Sequence, residues 1–463
     1  LHWHVFSLFD RYFLFDTPSN SLFSIDYPVY HILRECARAF TGKRMQDVGE
    51  KAEIGDEIIS PELIREAETE IAALKKQGFL QDTDPFLQNP QFNLKPELKA
   101  LCLHLAHDCQ LRCIYCFAGG GAFGGDRSIM SQEVGEAAIR FLVENSGNKD
   151  HLEVDFFGGE PLLNKEVMFA LVDYGEEIAT AAGKRLHFTL TTNTLELDKK
   201  VLDFLRKHRM GLILSLDGRS EVNDRTRGRG THDRIVPRIL EAVQDYPDLN
   251  HYVRGTYTRY NLDFSEDVKH FYNLGIRSIS IEPVTCDPKL PFAIQLEDLP
   301  VIYDEYDRLA RFWWETYAKG DPFKFFHFNV DLEKGPCLPK RLLGCGAGFD
   351  YLAVTPQGKL YPCHQFVGED GFLLGDVFSG IKKPEIREEF GQARLYKKEG
   401  CSECWARYYC SGNCHANAYF SNGSILKPDH MACELLKKRL ECGLALKAMQ
   451  MEAEGEVKAE DLK

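Results

Sequence analysis

Fifteen cysteines in a chain of 463 residues constrain this protein more than any other feature. They stand at positions 36, 102, 109, 113, 116, 286, 337, 345, 363, 401, 404, 410, 414, 433 and 442, bunched after residue 100 and again from residue 337. An odd count in so long a chain is unlike the even disulfide framework of a small secreted domain, and reduced thiolates that bind metal fit better. Charge adds an exclusion. With 56 Lys and Arg against 70 Asp and Glu the net charge is −14, which disfavours non-specific binding to nucleic acid or anionic lipid. No uncharged apolar run approaches the roughly 18 to 20 residues of a membrane span, and no basic stretch followed by an apolar one marks an export signal. A cytoplasmic protein with neither a membrane nor a nucleic-acid partner is the expectation.

At about 150 residues per domain, the length suggests roughly three domains. The first stretch holds an alternating start from His4 to Phe15, a turn at Thr17-Pro18-Ser19-Asn20 and a strand-like run from Leu22 to Ile25. Helical patterns follow at Val29 to Ala39 and Pro61 to Gln77, the second stopped by Gly78. Pro85, Pro90 and Pro96 among polar residues mark a linker over Asp82 to Pro96. From residue 101 the pattern changes to short apolar strands: Leu101 to Ala106, Glu153 to Phe157, His187 to Thr191, Leu212 to Leu216, Tyr252 to Tyr257 and Arg277 to Glu282. Amphipathic helices alternate with them at Gln132 to Glu144, Lys165 to Ala182, Asp198 to Lys207, Arg234 to Tyr246 and Ser265 to Leu274. Six such repeats imply an α/β fold with a parallel sheet, open and doubly wound or curled as a partial barrel. The placement of the motifs at strand ends favours the barrel. Past residue 336 the rhythm stops, and eight of the fifteen cysteines fall between Cys337 and Cys433. A segment with so little apolar periodicity leans on metal to hold its fold. Glu434 to Met451 reads as a helix, and the acidic tail beyond it as solvated. The divisions are therefore residues 1–95, 96–335 and 336–463.

The sharpest motif is Cys109-Gln-Leu-Arg-Cys113-Ile-Tyr115-Cys116, just after the first strand. Three thiolates on one loop can hold three irons of a cubane cluster and leave the fourth iron open for chemistry. A structural zinc site or reduced core cysteines are the bland alternatives, although zinc normally closes with four ligands. The spacing, with an aromatic residue before the last cysteine, resembles the cluster motif of the radical S-adenosylmethionine (radical SAM) enzymes. That resemblance implies a [4Fe-4S] cluster whose open iron is chelated by S-adenosylmethionine. Reductive cleavage of that cofactor then yields a 5′-deoxyadenosyl radical that abstracts a substrate hydrogen. It also implies cofactor contacts elsewhere. Phe157-Gly158-Gly159-Glu160-Pro161 ends the second strand and matches the motif for the methionine amino group; glycines permit close backbone approach and a carboxylate pairs with an ammonium. Thr191-Thr192-Asn193 and Ser215-Leu216-Asp217-Gly218 end the third and fourth strands, so that Thr191, Asn193, Ser215 and Asp217, with Tyr115 of the cysteine loop, suit a ribose and an amino-acid head. Arg227 resembles the arginine placed on the cofactor carboxylate, the alternative being a surface arginine in a basic run. Glu282 and Arg254 lie near strand ends with weaker assignments. Gly119-Gly-Gly121-Ala-Phe-Gly124 fits a dinucleotide fingerprint but follows no strand, and reads as a flexible loop beside the site.

A second constellation runs Cys345, Gly358, Cys363, then Cys401-x2-Cys404-x5-Cys410-x3-Cys414 and Cys433. Spacing alone does not separate paired zinc knuckles from iron–sulfur sites. With the upstream motif, the arrangement resembles the SPASM extension of peptide-modifying radical enzymes. By that resemblance Cys345, Cys363 and Cys414 hold a first auxiliary [4Fe-4S] cluster, which Cys337 completes or leaves open. Cys401, Cys404, Cys410 and Cys433 hold a second, making three clusters in all. Cys36, Cys102, Cys286 and Cys442 fit no motif and read as small apolar side chains. His104, His107, His364 and His415 read as packing or supporting residues.

The hairpin and helices at the start resemble the winged-helix leader-binding module of ribosomal peptide maturases, which adds an extended leader to a sheet edge. Leu103-His-Leu-Ala-His-Asp-Cys109, Gly335-Pro-Cys337, Tyr361-Pro-Cys-His-Gln-Phe366 and Tyr409-Cys-Ser-Gly-Asn-Cys-His-Ala-Asn-Ala-Tyr419 resemble the maturases of the six-cysteines-in-forty-five-residues peptides. The implied activity joins a cysteine sulfur to a carbon of an acceptor residue, commonly threonine, in a cysteine-rich precursor peptide carrying a leader. A ferredoxin or flavodoxin is the implied electron donor. A sulfatase-type formylglycine maturase, peptide epimerisation or carbon–carbon crosslinking are the enzymatic alternatives, and a zinc-binding scaffold is the non-enzymatic one.

Overall fold

The computed structural model describes residues 1–41, 60–81, 83–84, 86–87, 95–332 and 338–460. Cys337, with the Gly335-Pro336 before it, lies outside the described residues, as do Pro85 and Pro90 of the expected linker. The alternating start is a hairpin: β1 (Trp3–Leu8) pairs antiparallel with β2 (Arg11–Asp16), and β2 with β3 (Ser21–Ile25). Helices Tyr27–Thr41 and Pro61–Lys76 cover this sheet, and Trp3, Leu14, Val29, Leu33, Ala67 and Ile71 form a small core of their own. Ser60 caps the second helix by accepting from the Leu63 N–H.

The main sheet contains the six expected parallel strands: β4 (Ala100–Ala106), β5 (His151–Gly158), β6 (Arg185–Thr192), β7 (Gly211–Ser215), β8 (His251–Tyr257) and β9 (Ser278–Pro283). They lie side by side in chain order, all parallel. β4 and β9 do not pair; the fold is the partial (β/α)6 barrel. All six carboxyl ends lie on one rim, so the segments that follow β4, β5, β6 and β7 converge there. Helix Gln132–Glu144 occupies the expected residues, and the other four stand within about one turn of theirs.

Both edges of the barrel are extended. β10 (Lys324–Phe325) adds in parallel beside β9. On the other side β11 (Tyr351–Val354), from the cysteine-rich region, adds in parallel beside β4 and turns back through β12 (Lys359–Tyr361), β13 (Gly375–Asp376) and β14 (Gly380–Ile381). Flanked on both sides, β4 is buried along its whole length, which explains its nearly unbroken apolar run.

Three parts of the chain depart from the sequence reading. Helices Ser220–Arg227 and Leu299–Ala318 were not anticipated. The C-terminal helix spans His430–Glu460, and its acidic end is engaged: Glu452 pairs with Arg11 and accepts from Ser24 (2.6 Å). Opposite charges on two facing elements make Glu452, the first residue of the expected tail, a contact rather than a solvated side chain. The small N-terminal sheet sits against the cysteine-rich region as well, with His4 stacked on Trp405 (centroids 4.0 Å apart) and Thr17 Oγ1 donating to the Trp405 carbonyl (2.8 Å).

Candidate active site

β4 releases the chain into the loop carrying Cys109, Cys113 and Cys116. The Asp108 carboxylate accepts from the Cys109 N–H (2.8 Å), and the Ile114 N–H donates to the Thr226 carbonyl (2.9 Å), which pins the loop to helix Ser220–Arg227. Cys109 Sγ accepts from the Leu111 N–H and from Asn193 Nδ2, each at 3.4 Å. Burial lifts the Cys109 thiol above its ordinary value and the Cys113 thiol to about 12, and the neighbouring thiols of the loop add to both shifts. Thiols raised in this way need a neighbouring cation to act as thiolates, which is what a metal ion supplies to its cysteine ligands.

The turn Gly158-Gly159-Glu160 ends β5 beside this loop. Gly159 and Glu160 donate to the carbonyls of Ala106 and Asp108, both at 2.8 Å. A Cβ on Gly159 would lie 2.2 Å from the Asp108 carbonyl oxygen and 2.9 Å from Cα of Gly121. The glycines thus serve first to bring the turn against the cysteine loop, rather than a ligand against the turn. Gly121 of the following segment packs onto both, a Cβ there lying 2.9 Å from the Asp108 carbonyl carbon and 3.0 Å from Cα of Gly159.

Glu160 is fully buried. Oε1 accepts from the Leu162 N–H (3.0 Å) and Thr192 Oγ1 (2.8 Å), and Oε2 from the Asn193 N–H (2.7 Å). Burial raises its carboxyl to about 7, and these three donors oppose the rise. Thr192 is the threonine engaged here; by strand alternation Thr191 sits on the opposite face of β6. That alternation was legible in the sequence and would have separated the two threonines.

Asp217, also fully buried, accepts from Tyr115 OH (2.7 and 2.9 Å), Arg227 Nη2 (2.9 Å), Thr226 Oγ1 (2.7 Å) and the Thr256 N–H (3.0 Å). Its oxygens are therefore committed to protein donors. Arg227 is buried too, not a surface residue, and its Nε has no hydrogen-bond partner among the described residues. The guanidinium lies 5.8 Å from the Tyr115 ring centroid and near enough to Cys113 to lower its thiol's proton affinity. An unsatisfied donor on a buried cation is a place prepared for an anion. Ser215, half-buried at the end of β7, stands opposite Arg254 of β8. Glu282 lies against His327, Arg439 and Arg254, which together outweigh its desolvation and hold its carboxyl well below the usual range.

The remaining cysteines fall into two further neighbourhoods. Cys363 feels Cys414 and Cys345, and Cys345 feels Cys414. Cys410 feels Cys433, Cys404 and Cys401, and Cys433 feels Cys404. Among the described residues no three His, Cys, Asp or Glu side chains close on a single metal ion. Cys102 and Cys442 are buried, as small apolar side chains would be, whereas Cys286 is partly exposed and Cys36 exposed. His104 and His107 bond each other (3.0 Å) and pack against Phe123. His364, next to Cys363, lies against Phe117 of the cysteine loop and Phe157 at the end of β5.

Residues 103–258 match the model of the radical SAM superfamily. The chain holds a radical SAM domain. Among curated relatives it is 28% identical to mycofactocin maturase MftC of Mycolicibacterium smegmatis, over 71% of this chain and 81% of that one. Among solved structures it resembles native anSMEcpe with bound AdoMet (TM-score 0.61, 21% identity, covering 76% of this chain and 99% of the other). It also resembles Streptococcus suis SuiB bound to precursor peptide SuiA (TM-score 0.53, 18% identity, 93% and 98%). Both likenesses are likenesses of fold. The radical SAM domain implies S-adenosylmethionine and a [4Fe-4S] cluster, and the residues fit them: three neighbouring thiols on one loop, and beside them a buried arginine with an unsatisfied N–H.

Proposed function

We propose that this chain is a radical SAM maturase that forms thioethers in a ribosomally made, cysteine-rich precursor peptide, joining a cysteine sulfur to a carbon of an acceptor residue, threonine foremost. The observation that carries the reading is the grouping of ten described cysteines into sets of three, three and four, with Cys414 leaving the run it shares with Cys410 to join Cys345 and Cys363. Cys109, Cys113 and Cys116 hold the first [4Fe-4S] cluster. Cys345, Cys363 and Cys414 hold the second, with Cys337 or a substrate thiolate as its fourth ligand. Cys401, Cys404, Cys410 and Cys433 hold the third. Bound at Cys109, Cys113 and Cys116, the cluster with S-adenosylmethionine supplies one-electron reduction and the abstraction of a hydrogen atom.

The chain's own residues bind and orient. Glu160 accepts from the cofactor amino group, in the site that Gly158 and Gly159 shape, and the free Nε of Arg227 takes its carboxylate. Asp217 and Tyr115 hold Arg227 in place, Asn193 steadies Cys109, and Thr191 and Ser215 serve the ribose. Residues 1–95 capture the leader as an added strand, for which β1 and β3 offer the two edges of the small sheet. Residues 96–335 form the catalytic core and 336–463 the auxiliary-cluster region. A ferredoxin or flavodoxin supplies electrons.

The test is anaerobic incubation of reconstituted enzyme with S-adenosylmethionine, reductant and a synthetic six-cysteine peptide carrying its leader, read by mass spectrometry after alkylation. Loss of two hydrogens and one alkylatable thiol per event, in a linkage that survives reduction, is the expected result. If 5′-deoxyadenosine forms while the peptide keeps every thiol, radical chemistry stands and thioether formation fails.

A further inference from the structure

Lys398 is an anomaly: only 3% of its surface is exposed, and among the described residues no carboxylate forms an ion pair with it. Its Nζ donates to the carbonyl of Gly412 (2.7 Å) and reaches that of Asn413 (3.4 Å). Those carbonyls belong to an unusual segment. Ser411, Gly412 and Asn413 have φ of 58°, 83° and 61°, three consecutive residues in the left-handed region, which glycine and asparagine tolerate and serine disfavours. A Cβ on Gly412 would lie 2.9 Å from Cδ of Lys398, so the lysine stem fills the space that the glycine leaves.

The segment joins Cys410, of the four-cysteine set, to Cys414, of the three-cysteine set. Asn413 carries the link further: its Oδ1 accepts from the Cys414 N–H (2.7 Å) and its Nδ2 lies 3.9 Å from Cys433 Sγ. Gly344, beside Cys345, abuts the Ser411 carbonyl. Burial pulls the Lys398 ammonium down from its ordinary value, and Cys401, Cys345, Cys410 and Cys414, two from each set, push it back up. A buried lysine without a carboxylate is costly unless anionic neighbours offset its desolvation.

We propose that Lys398 is a positioning residue shared by the two auxiliary clusters, its ammonium holding the left-handed segment between Cys410 and Cys414 and biasing both clusters toward reduction. This rests on the three-cluster reading above. Each cluster gains negative charge on reduction, and a fixed cation between them stabilises that form, so both midpoint potentials lie higher with Lys398 than without it.

The experiment is an EPR-monitored redox titration, with iron counting, in the background Cys109→Ala/Cys113→Ala/Cys116→Ala, where only auxiliary signals remain. Before substitution at 398 this background must hold about eight irons; a chain that does not overturns the three-cluster reading itself. Lys398→Met is expected to keep that iron and lower both midpoints by a tenfold change in the reduction equilibrium, about 59 mV per electron, while Lys398→Arg leaves them in place. Should Lys398→Met lose iron instead, retention by Lys398→Arg supports the role. Full iron with unmoved midpoints, a shift in one cluster alone, or iron loss that Lys398→Arg does not restore overturns it.

Discussion

Burial and hydrogen bonding pull on Glu160 in opposite directions, and burial wins, leaving its carboxyl near 7. With S-adenosylmethionine held through the carboxylate form, the sign follows directly. Below that value the free enzyme must give up a proton before it binds, and above it no such cost remains. Affinity is expected to rise about tenfold between pH 6 and pH 8. Glu160→Gln, which places an N–H where the Asn193 N–H now donates, is expected to bind weakly at both values and lose the slope. Anaerobic equilibrium binding at the two pH values decides, and a flat profile for the unsubstituted enzyme refutes the assignment. Gly159 offers a second test at this scale. Gly159→Ala puts a methyl 2.2 Å from the Asp108 carbonyl oxygen, and rigid backbone on both sides leaves it nowhere to go. The expected outcome is loss of about four of twelve irons, those at Cys109, Cys113 and Cys116, with the other eight retained; iron and sulfide analysis reads it.

At the scale of elements, legibility followed periodicity. The barrel strands and helices could be read because each buries one face or runs apolar throughout, and the cysteine motifs stand out because their short spacings are plain in the sequence itself. Helix Leu299–Ala318 escaped: its buried face is interleaved with Tyr, Trp and charged residues, which blur its pattern. β11 escaped for a different reason, since four residues make too short a strand to show alternation and its partner β4 lies some 250 residues earlier. Roles that depend on distant partners were equally hidden: Asp217 as the seat of Arg227, and Lys398 between two cysteine sets. The pairing of β11 with β4 carries a prediction. A chain ending at residue 336 loses the strand that covers one edge of β4, leaving a long apolar strand with unpaired backbone groups. It is expected to aggregate on expression even when iron is supplied. A soluble, iron-loaded product of this length, seen by size-exclusion chromatography, contradicts it.

Across the whole molecule, the N-terminal module and the last cysteine set are joined by one buried ion pair. Asp84 Oδ2 accepts from Arg407 Nε (3.0 Å), and Tyr408 and Tyr396 donate to the same carboxylate at 2.7 to 3.0 Å; both charged side chains are fully buried. Arg407 in turn donates to the carbonyl of Cys404 (2.9 Å), and Trp405 between them is the residue on which His4 stacks. Desolvation would raise the Asp84 carboxyl, but Tyr408 and Arg407 outweigh it and hold it below the ordinary value. The stability it contributes is therefore present above about pH 4 and lost as the pH falls through its lowered value. Asp84→Asn leaves the guanidinium buried without its counter-charge, a change expected to cost about 3 to 5 kcal/mol. The loss is shared by two regions, so hydrogen exchange should quicken both in residues 1–41 and around Cys401 to Cys410, while β5 to β8 keep their protection. Iron bound by Cys401, Cys404, Cys410 and Cys433 should then be the first released to a chelator. Protection lost in the N-terminal sheet alone, with iron release unchanged, means that the pair anchors the module without reaching the cluster site.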